Sequence, residues 1–476
     1  MTTYTTEPGS AASASAEPAL SAAGLVTVLL GAALPIIDFF IVNVALPTIQ
    51  AGLHTSSATL ELVVAAYGIA FAVLLILGGR LGDAFGRRRL FMLGLALFTL
   101  TSLVCGIAPN AMTLVIARAA QGAAAALLMP QVLSIIQAGA VGEHRSRALG
   151  FYGATSGIST VIGQLLGGLL IAANLWGLSW RPTFLVNVPI GLVGLLLARR
   201  TVPDSRAEHP LRIDRWGTAL LAVSLLALLL PLMEGGALGW PWWTIALLTT
   251  SPFAIFGLWH AEQQLEAQGG MPLLPPALLR TVSVRRGLSA AMPYFWGFGS
   301  FMFVYAVALQ DGLRYGPLGS GLILTPMAAA YFAMSLISSR IVARHGQKVV
   351  IVGSSIGALG LFVLAGSALA AWPDVAIWQL TPAMILIGVG NGLTQTTLFR
   401  VVLSRVPTDL AGAGSGMMTT TQQTSMALGV AVFGSLFAGL TTGSLGYEGA
   451  FVLVIGLLAI LRAAVAVLAG RLPDPR

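Results

Sequence analysis

One acidic side chain stands where an acid is costly. The stretch "LPIIDFFIVNVALP" (34–47) places Asp38 inside an apolar run that begins near Ala22 and reaches Pro47. Such a run can cross a bilayer, which takes about 20 mainly apolar residues. A second run, "IARAAQGAAAALLMP" (116–130), carries Arg118, with Gln121 and Gly122 three and four residues further on and so on the same helical face. Charges inside spans are expensive and default to a functional role. Asp38 lies about 14 Å of helix before Pro47, and Arg118 about 10 Å after Ala111, both measured from the same outer side. The two are at similar depth, so an ion pair forms if their helices adjoin. Burial favours a neutral carboxyl and a nearby arginine favours a charged one, so a rearrangement can tip the balance. That is proton-coupling chemistry. A static polar contact holding two helices together would use the same residues.

The next cluster is "GGRLGDAFGRRRLF" (78–91). Asp83 stands among Arg80, Arg87, Arg88 and Arg89, and Gly79, Gly82 and Gly86 are spaced to let the chain turn tightly between two helices. A plain basic loop explains the arginines but not the acid or the glycines. Further along, Tyr294, Phe298, Phe301 and Tyr305 step by 4, 3 and 4, which is one helical face. An aromatic face can line a cavity for hydrophobic or cationic ligands; packing or lipid contact is its plainer use. Gln121, Asn391, Gln395, Gln422 and Gln423 can line the cavity and offer a ligand hydrogen bonds. Glu61, Glu234 and Asp311 fall near outer helix ends, where an acid needs no special role.

The elements that position these residues follow from composition. The chain has 476 residues, of which 56% are hydrophobic and 9% charged. Soluble domains carry about 25% charged residues. The chain is therefore an all-α polytopic membrane protein. Fourteen apolar runs are long enough to span, at 22–47, 58–79, 90–108, 111–133, 149–172, 183–199, 216–233, 242–260, 287–309, 317–338, 349–370, 377–398, 413–439 and 449–469. With the N-terminus inside, 21 of the 25 basic residues fall on the inner side, and only Arg181 and Arg314 fall outside. Arg118 and Arg462 lie within spans. That asymmetry sets the orientation, with both termini cytoplasmic. Residues 1–20 read as a disordered cytoplasmic tail.

A weak repeat divides the chain. "GRLGDAFGRR" (79–88) follows span 2 and "SRIVARHGQK" (339–348) follows span 10. In register, Arg80 meets Arg340, Gly86 meets Gly346 and Arg88 meets Lys348. Two parallel halves produce this pattern. The expected domains are 21–200, a linker at 201–286 with two extra spans, and 287–476.

Several functions are excluded. The single cysteine, Cys105, rules out an intrachain disulfide or a cysteine metal cluster. The only lysine, Lys348, stands in no phosphate-binding loop, so ATP hydrolysis of that type is absent. The histidines lie in loops or at span ends, so neither a metal nor another cofactor is expected, and no clustered catalytic set suggests an enzyme. The net charge of +8 is spread over short loops rather than gathered on one face, which argues against a nucleic-acid partner.

The loop at 78–91 resembles the signature between helices 2 and 3 of the major facilitator superfamily, G-x-L-a-D-r-x-G-r-r/k. "IDFFIVNVALP" (37–47), "IARAAQGAAAALLMP" (116–130), "WRPTFLVNVPIG" (180–191), "EGGALGW" (234–240) and "AGAGSGMMTTTQQTSMALGVAVFG" (411–434) resemble the 14-helix drug:proton antiporters of that superfamily. The resemblance implies two six-helix bundles plus two inserted helices. It implies alternating access, export of hydrophobic or amphipathic drugs in exchange for protons, Asp38 and Arg118 in coupling, and Asp83 as a cytoplasmic latch. A monomer in the cell membrane is expected, with the proton gradient as its energy source. A dedicated exporter of one natural product is the alternative, and proton-coupled uptake a further one. The family's antiporter motif G-P-x-x-G-G reads "GQLLGG" here: Gly163, Gly167 and Gly168 remain, but Gln164 replaces the proline. Leu62 stands where many members have Trp.

Overall fold

The computed structural model describes residues 20–55, 57–206, 214–235, 238–270, 272–407, 410–441 and 443–474. Nearly all of the expected tail lies outside that range, as do the side chains of Glu61 and Glu234.

Among the described residues, fourteen long helices follow one another. They are α1 (Ala22–Leu53), α2 (Ser57–Phe85), α3 (Arg87–Gly106), α4 (Ala111–Gly139), α5 (Gly142–Ala173), α6 (Pro182–Thr201) and α7 (Arg215–Glu234). Then come α8 (Trp242–Ala267), α9 (Val282–Gly312), α10 (Pro317–His345), α11 (Lys348–Ala371), α12 (Ile377–Leu403), α13 (Ala411–Gly429, continued through a wide turn to Thr441) and α14 (Gly446–Ala469). A helix satisfies its whole backbone within one segment, as hydrocarbon requires of a single span. Polar caps mark the starts: Ser21 accepts from Gly24 N (3.0 Å), Asn110 from Thr113 N (2.9 Å) and Asp214 from Gly217 N (2.9 Å).

Among the described residues, 12 helices are long and apolar enough to cross a membrane, and α7 adds a shorter apolar stretch, Trp216–Leu232. The remaining helix, α12, is too polar to qualify. It buries Asn391, Thr394, Gln395, Thr396 and Thr397. Those residues face protein rather than lipid, so hydropathy understates it.

Helix pairing reveals the repeat. In the first half α2 and α3 each pack on α4, α1 packs on α5 and α6, and α3 packs on α6. Eight helices later α10 and α11 each pack on α12, α9 packs on α13 and α14, and α11 packs on α14. The halves meet through α2 with α13 and through α5 with α10, two contacts that exchange under the same shift. The inserted pair, α7 with α8, leans on α2 and α13. This is the architecture of two parallel six-helix bundles about one axis.

One expectation is corrected. Gly79 and Gly82 do not turn the chain, because α2 runs through them to Phe85. A Cβ at Gly82 would strike the side chain of Gln131 on α4, so this glycine serves close helix packing. Gly86 alone makes the turn, at φ +105, and its repeat partner Gly346 has φ +58. Helices also overrun the apolar runs. Arg87, Arg88 and Arg89 open α3, and Arg145 and Arg147 lie in the first turns of α5, because a helix need not stop where hydrocarbon does.

Candidate functional site

Glycines bring the first bundle together at Asp38. A Cβ at Gly122 would run into the carbonyl of Tyr67, so α4 lies directly on α2. A Cβ at Gly163 would sit 2.7 Å from Ile37 O, and one at Gly167 3.1 Å from Ile41 O. The small face of α5 therefore presses on α1 at the turn that carries Asp38. Gly168 is buried on the same helix. Without the proline, α5 is continuous. Gln164 is half-buried beside α10, where a Cβ at Gly321 would lie 3.8 Å from its Cβ.

Asp38 and Arg118 meet. Asp38 Oδ2 accepts from Arg118 Nη1 at 2.5 Å, and both side chains are fully buried. Asp38 Oδ1 accepts from Gln121 Nε2 (2.9 Å) and Asn187 Nδ2 (2.7 Å). Arg118 Nη1 also donates to Gln121 Oε1 (2.7 Å), and its Nε to Val63 O (3.2 Å). Gln121 Nε2 reaches Ser102 Oγ at 2.8 Å. The guanidinium carbon lies 4.2 Å from the centre of the Tyr67 ring. Helices α1, α2, α3, α4 and α6 thus converge on one ion pair and the amides around it. Gln121 is part of this network rather than the wall of a cavity. Arg118 Nη2 has no hydrogen-bond partner among the described residues, so the pair is strong but not saturated.

Ser102 and Asn187 were not singled out by sequence. Asn187 had a signal, an amide within the apolar run "FLVNVPIG". Ser102 had none, since serines are common in spans. Replacing Asn187 with Ala is expected to destabilise the protein by about 1.5–3 kcal/mol, the range for a hydrogen bond to a charged group. Thermal unfolding in detergent checks this; an unchanged midpoint would count against the network.

A second buried pair lies at the turn between α2 and α3. Asp83 Oδ1 accepts from Arg87 Nη2 at 3.0 Å, and the two side chains are 0% and 2% exposed. Arg88 Nη2 donates to Arg199 O at 2.6 Å, tying α3 to the end of α6. Nearby, the bundles are joined directly: Ser134 Oγ lies 3.0 Å from Ser415 Oγ, Gln137 Nε2 donates to Leu403 O (3.4 Å), and Arg400 Nη2 to Ser146 O (3.3 Å). The start of α13 lies on α2, where a Cβ at Gly416 would sit 3.2 Å from Ile76 Cα. The helices run antiparallel. Asp83, about 10 Å further down α2, is level with the first residues of α13.

The aromatic face of α9 is divided. Tyr294, Phe298 and Phe301 line a small cavity inside the second bundle, with Asn391 opposite. Tyr294 Oη lies 3.3 Å from both Asn391 Oδ1 and Gln395 Oε1. Tyr305 instead donates to Ser320 O at 2.8 Å and packs α9 on α10. Gln422 is half-buried on α13 and joins neither network.

Comparison with known proteins agrees with this layout. The Major Facilitator Superfamily profile matches residues 28–430. This chain belongs to the Major Facilitator Superfamily. A similar superfamily protein, 33% identical over 415 residues, is the probable actinorhodin transporter of Streptomyces coelicolor; the match covers 87% of this chain and 72% of that one. The puromycin resistance protein pur8 of Streptomyces alboniger is 36% identical, with 90% of this chain and 84% of that one covered. Among solved structures, the human organic anion transporter MFSD10 shares the superfamily fold at a TM-score of 0.67 and 14% identity, over 94% of this chain and 98% of that one. As a superfamily member, the chain is a multi-pass membrane transporter of small molecules.

Proposed function

We propose that this transporter exports hydrophobic or amphipathic small molecules, antibiotics among them, in exchange for protons. The buried Asp38–Arg118 pair, on which five helices converge, is the observation that carries the reading. In the paired state Arg118 holds Asp38 charged. When α4 shifts and draws Arg118 away, a buried carboxylate is too costly to leave charged, and Asp38 takes up a proton. Restoring the pair expels the proton on the other side. The rocking units are residues 21–200 and 287–476, and Asp83 with Arg87 latches their cytoplasmic closure. The transporter works as a monomer in the cell membrane, with both termini inside. No cofactor takes part; the proton gradient supplies the energy.

The relatives, an antibiotic transporter and an antibiotic resistance protein, support export. The actinorhodin transporter also favours a second reading, a dedicated exporter of one natural product. Everted vesicles with a preset proton gradient test both. Substrate-dependent proton release is expected, and its absence across a broad panel would sink antiport. Release with one compound class alone would select the dedicated exporter. Release that requires the opposite substrate gradient would mean uptake, the reading to which the unbroken α5 with Gln164 gives some room.

A further inference from the structure

The two bundles carry matching polar cores of unequal charge. In the first, α1, α3, α4 and α6 surround a carboxylate and an arginine that neutralise each other. Eight helices on, α9, α11, α12 and α14 surround Tyr294, Gly357, Asn391 and Arg462. Arg462 is 7% exposed. Its guanidinium carbon lies 4.2 Å from the centre of the Tyr294 ring, as Arg118 does from Tyr67. Gly357 provides the seat: a Cβ there would be 3.1 Å from Arg462 Nε and 3.2 Å from Nη2. Among the described residues those two nitrogens have no hydrogen-bond partner and no ion pair includes Arg462; its polar neighbour there is the neutral Tyr294 hydroxyl. Beside the guanidinium is a cavity of about 20 Å³, lined also by Phe298 and Phe301. That is room for one water-sized particle.

A buried cation needs a counter-charge, and a buried N–H needs an acceptor. Arg118 obtains both from Asp38. The second core supplies neither for Nε and Nη2. A water in the cavity could accept one hydrogen bond but would leave the charge uncompensated. Nε and Nη2 lie on one edge of the planar fork, the edge that grips an anion with two parallel donors. We infer that Arg462 is an anion site in the C-terminal bundle that takes one negative charge, either a halide or the acidic group of a transported molecule. At its present size the cavity admits a halide or a single oxygen. An aromatic acid enters as Phe298, which is only half-buried, gives way. The site binds without proton movement, so it stands or falls separately from the coupling described above.

The test uses the full-length protein in detergent, without a proton gradient. Sodium chloride or sodium benzoate replaces sodium gluconate at constant ionic strength and pH while thermal unfolding is followed. The wild type is expected to gain a saturable rise in midpoint from at least one of them. R462Q is expected to lose that rise, and in gluconate to unfold at or above the wild-type temperature, since the uncompensated charge is gone. G357A keeps the charge but crowds the seat, and is expected to weaken apparent affinity roughly tenfold. A rise with chloride alone assigns an inorganic anion; a rise with benzoate that chloride competes away assigns an acidic cargo group. A wild type indifferent to both anions overturns the inference. So does a response in R462Q equal to that of the wild type. Should R462Q fail to fold, unchanged affinity in G357A overturns it.

Discussion

Asp38→Asn is expected to abolish substrate-driven proton movement and to destabilise the folded protein at the same time. The two effects have different origins. Removing one partner of a buried pair strands the other charge, which costs about 3–5 kcal/mol. Here the stranded group is Arg118, fully buried and left with Gln121 Oε1 and Val63 O as acceptors. A double variant, Asp38→Asn with Arg118→Met, removes both charges and is expected to recover most of that stability. Transport coupling is expected to stay lost in it, because no group remains to carry the proton. Thermal unfolding and vesicle proton flux, measured on both variants, separate a coupling role from a merely structural one. Coupled export by the double variant would remove Asp38 from the mechanism. A single variant as stable as wild type would show that the two buried charges do not compensate each other as described above.

Asp83→Asn is expected to open the cytoplasmic side. The carboxylate is wholly buried against Arg87, level with the start of α13, whose helix N-terminus favours an anion. On the gating role proposed above, its charge stabilises the closed arrangement in which Ser134 touches Ser415 and Gln137 reaches Leu403. In an arrangement with α2 and α13 apart, that gain is lost. A differential of only about 1.4 kcal/mol moves the two populations tenfold. Spin labels at exposed His144 and Arg405, on the two sides of the closure, read the distance directly. The variant is expected to shift weight from the short to the long distance, and Asp83→Glu to fall between. An unchanged distribution in Asp83→Asn would leave the pair as a local brace on the turn at Gly86, with no part in gating.

The glycines show where the sequence was legible and where it was not. Gly86 read correctly as a turn, because a φ of +105 is open to glycine and strained for other residues. Gly82 carried the same letter but serves α2–α4 contact, and only the position of Gln131 reveals that. Likewise α12 is legible as the apolar run at 377–398, although its buried amides and threonines make it a poor match by hydropathy. Arg462 is visible as a charge within a span, but a sequence cannot show that no carboxylate among the described residues pairs with it.

By itself the sequence determined the class of the protein, its helical spans and the superfamily to which it belongs. It also determined which rare charges lie in the membrane. These are one-dimensional properties: the bilayer imposes a length and a polarity on each segment, and each segment meets them alone. Only the tertiary structure decided which polar groups meet. Asp38 is joined to Arg118, Gln121 and Asn187 because small residues on α4 and α5 let α2 and α1 approach within backbone contact, and a helix sequence does not name its neighbour. The same packing gave one bundle a neutral core and set an arginine beside a small cavity in the other.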